Sequence, residues 1–187
     1  MIKSVEGYDK HMALVGFRDV HIKNSDVLVN QVRKRLPHVD VQFFDALLIA
    51  GWEHLYFALV NALKAFKNGT NISKSVAVES LLYASAQRQI KAAVDLIGLK
   101  KGTTKIVVLG IANNLEMAAK TIHEASKLVP GRRDDSVIDL EEEKIMDIRE
   151  LFGITDTELK ASSSSSQGKG VLLDLVIEHM ALLVTRR

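Results

Sequence analysis

A single α+β domain, in which helices pack around a mixed sheet of four to five short strands, is the fold class the sequence predicts. Three observations predict it. Apolar stripes at helical spacing alternate with short β-branched runs, and no apolar run approaches the ~18 residues of a membrane span. The chain of 187 residues is also 47% hydrophobic, enough for one buried core and too apolar for general disorder.

The elements are read in order. Positions 11–20 (HMALVGFRDV) read as a strand. Asn24 or Ser25 caps a helix that turns Leu28, Val29, Val32 and Leu36 inward and stops at Pro37. Positions 39–49 form an extended piece entering a turn. Trp52, Leu55, Leu59, Ala62 and Phe66 keep helical spacing until Asn68-Gly69. Positions 77–84 read as extended, 87–99 as a helix and 103–109 (TTKIVVL) as a buried strand, for which a right-handed crossover is the economical packing. Leu115, Ala118, Ile122, Ala125 and Val129 make another helix, closed by Pro130-Gly131. A short strand is expected at 136–140. Asp139 with Glu142 then resembles a capping box for a helix carrying Ile145, Ile148 and Phe152.

The five serines at 162–166, followed by Gln167-Gly168-Lys169-Gly170, bury no apolar area and read as a flexible linker. Residues 1–160 therefore form the core, 161–170 the Ser/Gly-rich linker, and 171–187 a C-terminal helix of the same domain. Gly168-Lys169 is no phosphate loop, because Ser163 stands where that motif needs a glycine.

Two helices carry more apolar surface than a surface helix needs. Val171 to Thr185 has one narrow strip, holding Asp174, Glu178, Ala181 and Thr185, with an apolar arc of roughly 220° over most of the remainder at ~100° per residue. The helix from 87 behaves similarly, with Ile90, Ala93, Val94 and Ile97 in one stripe. Either both are buried between layers, or the surplus faces form a docking surface for another protein.

Catalytic signatures are missing. The histidines at 11, 21, 38, 54, 123 and 179 include no i, i+4 pair of a zinc site, and there is neither a nucleophile elbow nor a dinucleotide fingerprint. Cysteine is absent, which excludes disulfides and thiolate metal sites and agrees with a reducing, cytoplasmic home. No signal-peptide pattern opens the chain. The net charge of +2 is too mild to announce nucleic acid, although Arg33-Lys34-Arg35, Lys100-Lys101, Arg132-Arg133 and Arg186-Arg187 are clustered. Arg88 stands apart, in the expected first turn of a helix after a strand end, where backbone N–H groups attract phosphate. Gln87 adds an amide, Lys91 and Lys101 add charge, and Tyr83 offers a ring to unpaired bases.

Ala84-Ser85-Ala86-Gln87-Arg88-Gln89-Ile90-Lys91-Ala92-Ala93 with Ile97-Gly98 resembles the central segment of a known family. That family is the small kinase-binding subunit of the KEOPS complex, the TPRKB family in its archaeal form. Phe17-Arg18-Asp19-Val20 with Asn24-Ser25-Asp26-Val27, and Asp134-Asp135-Ser136-Val137 with Arg149-Glu150-Leu151-Phe152, resemble its outer landmarks. Tyr83 stands where archaeal relatives often carry a basic residue, and the serine run is longer than usual. The resemblance implies a non-catalytic α+β subunit without a cofactor. Its partners would be the complex's small atypical kinase/ATPase, the threonylcarbamoyl transferase indirectly, and the single-stranded CCA end of tRNA.

The expected RNA-binding residues are therefore Gln87, Arg88, Lys91 and Lys101. The expected kinase-facing residues are Val94, Ile97, Val176, Met180 and Leu183. Two alternatives stand beside this reading: a self-associating dimerisation module, and a small metal-dependent enzyme using Asp134, Asp135 and a histidine.

Overall fold

The structure, a computed structural model, describes residues 1–162 and 169–184. Five strands form one sheet: β1 (Ile2–Val5), β2 (Lys10–Arg18), β3 (Asp40–Asp45), β4 (Ile106–Ala112) and the two-residue β5 (Arg132–Arg133). Their order is β1-β2-β4-β3, with β5 against the end of β2. Every pairing is antiparallel, so the sheet is not the mixed one that the sequence predicts: without a strand at 77–84 there is no crossover to set two strands parallel. The α+β class and the single layered core are as the sequence predicts.

Helices cover both faces. On one face lie α1 (Ser25–Arg35) and α5 (Leu115–Leu128), packed on Val15, Phe17, Val41, Phe43, Ile106 and Val108. The other face holds α2 (Trp52–Lys67), α3 (Val76–Ala84), α4 (Ile90–Ile97), α6 (Glu142–Phe152) and α8 (Lys169–Ala181). There they enclose Met12, Leu14, Phe44, Val107 and Leu109. The short α7 (Asp156–Ser162) precedes α8, and a 3-10 turn (Leu182–Val184) ends the described chain. The alternation of β4 between the two clusters is the period-2 pleat of a strand buried on both sides. Gly110 in β4 is required by close packing: a Cβ there would lie 2.4 Å from Cγ2 of Thr121 on α5. Among the described residues, no helix is long and apolar enough to cross a membrane.

Three further expectations are corrected. Residues 77–84 are helix, not strand, so the strand–helix–strand crossover does not exist. Ala77 and all of Glu79 to Ala84 are buried, and a run enclosed on nearly every side has no exposed polar face whose spacing would separate helix from strand. Residues 135–138 form a 3-10 turn rather than a strand, because the Asp134 side chain accepts from Ser136 N–H and folds the backbone locally. The capping box at Asp139 is also absent: α6 begins after Glu141, without a side-chain cap. Asn24, by contrast, does cap α1 by accepting from Val27 N–H at 3.1 Å. The serine linker lies outside the described residues from 163 to 168.

Candidate interaction face at the turn between α3 and α4

Glu79, buried within α3, fixes the approach to this face. Its carboxylate accepts from Ser73 N–H at 2.7 Å and from Ile72 N–H, so the chain entering α3 is held by the helix's own first turn. These donors satisfy a charge that would otherwise be buried bare.

A two-bond Schellman motif ends α3. Gln87 N–H donates to Leu82 C=O at 3.0 Å and Ala86 N–H to Tyr83 C=O at 2.9 Å. The residue in the left-handed position is Ala86, with φ of 50°, where glycine is the usual occupant. The motif throws the chain sharply outward, and Arg88 emerges beside the end of α3. Arg88, Tyr83, Glu79, Thr70, Ile72 and Leu183 border one small cavity of about 40 Å³. The turn thus lies against the loop before α3 and against the C-terminal segment.

The predicted RNA-binding residues are distributed unevenly along this face. Gln87 is half-buried in the turn, while Arg88 and Lys91 are exposed there and in the first turn of α4. Lys101 is exposed too, but beyond the far end of α4. The start of α4 follows Arg88 by two residues, so Arg88 precedes the helix rather than lying in its first turn. Gln89 at the N-cap makes no side-chain cap, and the first turn contains no acidic residue. Among the described residues Arg88 forms no ion pair with Asp95. Tyr83 is only 6% exposed, which removes its ring as a stacking surface for bases. Burial, and then the neighbouring Glu79, push its hydroxyl pKa up, while Arg88 opposes them.

Of the five predicted kinase-facing residues, only Val94 is exposed, at 41%. Ile97, Val176, Met180 and Leu183 belong to this chain's own core. An exposed docking role for those four is corrected accordingly. The sheet face above β4 is wide enough to absorb α2, α3, α4, α6 and α8 together, which consumes the surplus apolar arc. What remains outward on α4 is Ile90, 44% exposed, one turn before Val94 on the same side.

The acidic pair is accounted for by structure. Asp134 lies 2.5 Å from Arg18 Nε, and its hydrogen bonds from the Ser136 hydroxyl and N–H, aided by Arg18, hold its pKa below the usual range. Asp135 accepts from Gly16 N–H at 3.0 Å and from Arg133. Burial draws its pKa upward, but the Arg133 and Gly16 donors outweigh that and leave it lowered. Both carboxylates brace β2 and β5. Among the described residues, no group of three His, Cys, Asp or Glu is placed to hold a metal ion.

The sequence model of the kinase binding protein CGI-121 family matches residues 17–183, from the last residues of β2 to the C-terminal turn. The chain belongs to that family. Within the CGI-121 family, it is 30% identical over 146 residues to a regulatory protein Cgi121 of Methanocaldococcus jannaschii, covering 78% of this chain and 84% of the relative. It is 38% identical over 61 residues to a KEOPS complex subunit Cgi121 of Pyrococcus abyssi, covering 33% of this chain and 36% of that protein.

Two features of this CGI-121 chain escaped sequence reasoning. Lys144 and His54 are completely buried, a placement that no local pattern announces. Ile90 was visible in the stripe of α4, but its outward direction depends on where the Schellman turn releases the helix.

Proposed function

We propose that this chain is a non-catalytic, cytoplasmic subunit of a KEOPS-type assembly that installs threonylcarbamoyladenosine on tRNA. It binds the assembly's small atypical kinase/ATPase, contacts the transferase only through that kinase, and holds the single-stranded CCA end of tRNA. The observation that carries this reading is the family match across residues 17–183, with the motif at the turn between α3 and α4 presenting Arg88 to solvent. The two relatives support it, one named as a regulatory protein and the other as a KEOPS complex subunit.

Arg88 and Lys91 bind phosphate, the Gln87 amide meets a base edge or sugar, and Lys101 extends the positive track. Val94 contacts the kinase directly. Ile97, Val176, Met180 and Leu183 act from beneath, by holding α4 and α8 in place.

Filter binding of tRNA to wild type and Arg88→Ala, across ~50–200 mM salt, tests the RNA site. Removing one phosphate contact lowers the salt slope by about one and weakens binding at every salt concentration. Trimming the CCA nucleotides from the tRNA abolishes the difference between the two proteins. Equal binding of intact tRNA by wild type and variant would show that the site is misplaced.

A further inference from the structure

We propose that the outer edge of β1, with the aromatic face of α2 above it, receives an extended strand of another protein bearing an acidic residue. β1 lies at the opposite side of the sheet from β3 and has β2 as its sole neighbour among the described residues. Leu14 N–H donates to Met1 C=O, and the register pairs Lys3 with Met12 and Val5 with Lys10. In an antiparallel ladder this parity turns the backbone groups of Met1, Lys3 and Val5 toward β2 and those of Ile2 and Ser4 outward. The outward groups form a short unpaired ladder, the feature on which strand addition depends.

The space beside that ladder is already shaped. Lys3, Ser4, Glu6, Trp52, Tyr56, Phe57 and Val60 line an open trough of about 650 Å³. Trp52 and Tyr56 meet edge to face at 6.0 Å, Tyr56 and Phe57 at 5.6 Å, and Tyr56 Oη accepts from Glu6 N–H at 3.4 Å. Lys3 Nζ sits 3.7 Å from the Trp52 ring centre. Among the described residues Lys3 forms no ion pair.

Charge selects the occupant. Pairing β1 with the β1 of a second copy about an axis at Ser4 would set both Lys3 groups on one face, about 7–8 Å apart on the diagonal. Like charges at that spacing oppose self-association and favour a foreign strand whose inward position is Asp or Glu. Apolar residues two positions either side would then enter the trough against Trp52 and Phe57.

The test titrates the full ¹⁵N-labelled chain with a short peptide alternating threonine and valine with glutamate at its centre, and with the same peptide carrying lysine there. The expected result is shifted, exchange-protected amides at Ile2 and Ser4, with the glutamate peptide bound at least about tenfold more tightly. Lys3→Glu reverses that preference. Ser4→Pro, which removes an outward N–H that β2 does not use, abolishes binding while leaving the β2–β4 amide signals in place. The proposal is overturned if neither peptide binds, if the shifts fall elsewhere, if Lys3→Glu leaves the preference unchanged, or if light scattering shows the edge occupied by a second copy.

Discussion

Lys144 donates from Nζ to the carbonyl oxygen of Val137 at 2.6 Å, and the same ammonium reaches Ile49 C=O at 3.3 Å. The side chain is wholly buried and ties α6 to the turn after β3 and to the 3-10 turn before α6. Burial lowers its pKa from 10.5 to about 8, although Glu141 and Asp139 pull upward. The unfolded chain therefore holds this proton over a pH range in which the folded chain has released it. Stability attributable to Lys144 rises with pH between about 8 and 10.5, by about 3 kcal/mol across the window. Urea denaturation of wild type and Lys144→Met at steps from pH 7.5 to 10.5 measures it. The difference between the two proteins should shift toward wild type as pH rises; a constant difference would refute the account.

His54 supplies the acid limb. Its Nδ1 accepts from Ala50 N–H at 3.1 Å, which leaves Nε2 as the donor to Ala84 C=O at 2.9 Å. A second proton would have to face the Ala50 N–H inside the core. Burial foremost, and the nearby Lys144 charge, depress the pKa from 6.5 to about 4 against the pull of the Ala84 carbonyl. Because the folded pKa is the lower one, this contribution is complete above pH 6.5 and disappears as pH falls through about 4, a loss of about 3 kcal/mol. A ring-nitrogen NMR titration is expected to show His54 neutral at pH 5. A charged ring at that pH would overturn the assignment.

Local chemistry accounts for what was readable in the sequence. Asn24 before an apolar stripe and Pro37 after it mark α1 from both ends, and the Asn68-Gly69 pair closes α2. The β-branched run of β4 identifies a buried strand without help from its neighbours. By contrast, α3 is almost wholly enclosed, so its pattern carries no direction. Burial of Ile97 and Met180 depends on how many helices share one sheet face, a tertiary quantity that an apolar arc does not reveal. The motif around Arg88 was legible as a set of residues. Its geometry was not, since an alanine gives no warning of a left-handed backbone.

Ala86 offers a direct test of that geometry. A non-glycine residue at φ of 50° carries a steric penalty that glycine lacks, partly offset by the greater freedom of glycine in the unfolded chain. Ala86→Gly should therefore stabilise the protein by about 0.5–1 kcal/mol. Thermal or urea denaturation checks the value, and a loss of stability would mean the turn adopts another conformation in solution. RNA binding by the variant should match wild type within about twofold, because the Schellman bonds that place Arg88 use backbone groups alone.

Val94 and Ile97 lie three residues apart on α4 yet face opposite environments, the first 41% exposed and the second fully buried. A glutamate at 97 puts a carboxylate into the core without a donor, so Ile97→Glu should cost more than about 3 kcal/mol and lose cooperative unfolding. A glutamate at 94 remains in water, and Val94→Glu should change stability by less than about 0.5 kcal/mol. The two variants therefore separate folding from docking. Co-purification with the kinase subunit is expected to fall sharply for Val94→Glu while its denaturation curve overlays wild type. Unchanged co-purification would exclude the exposed side of α4 from the kinase contact and leave the buried residues of α4 and α8 with a purely structural role.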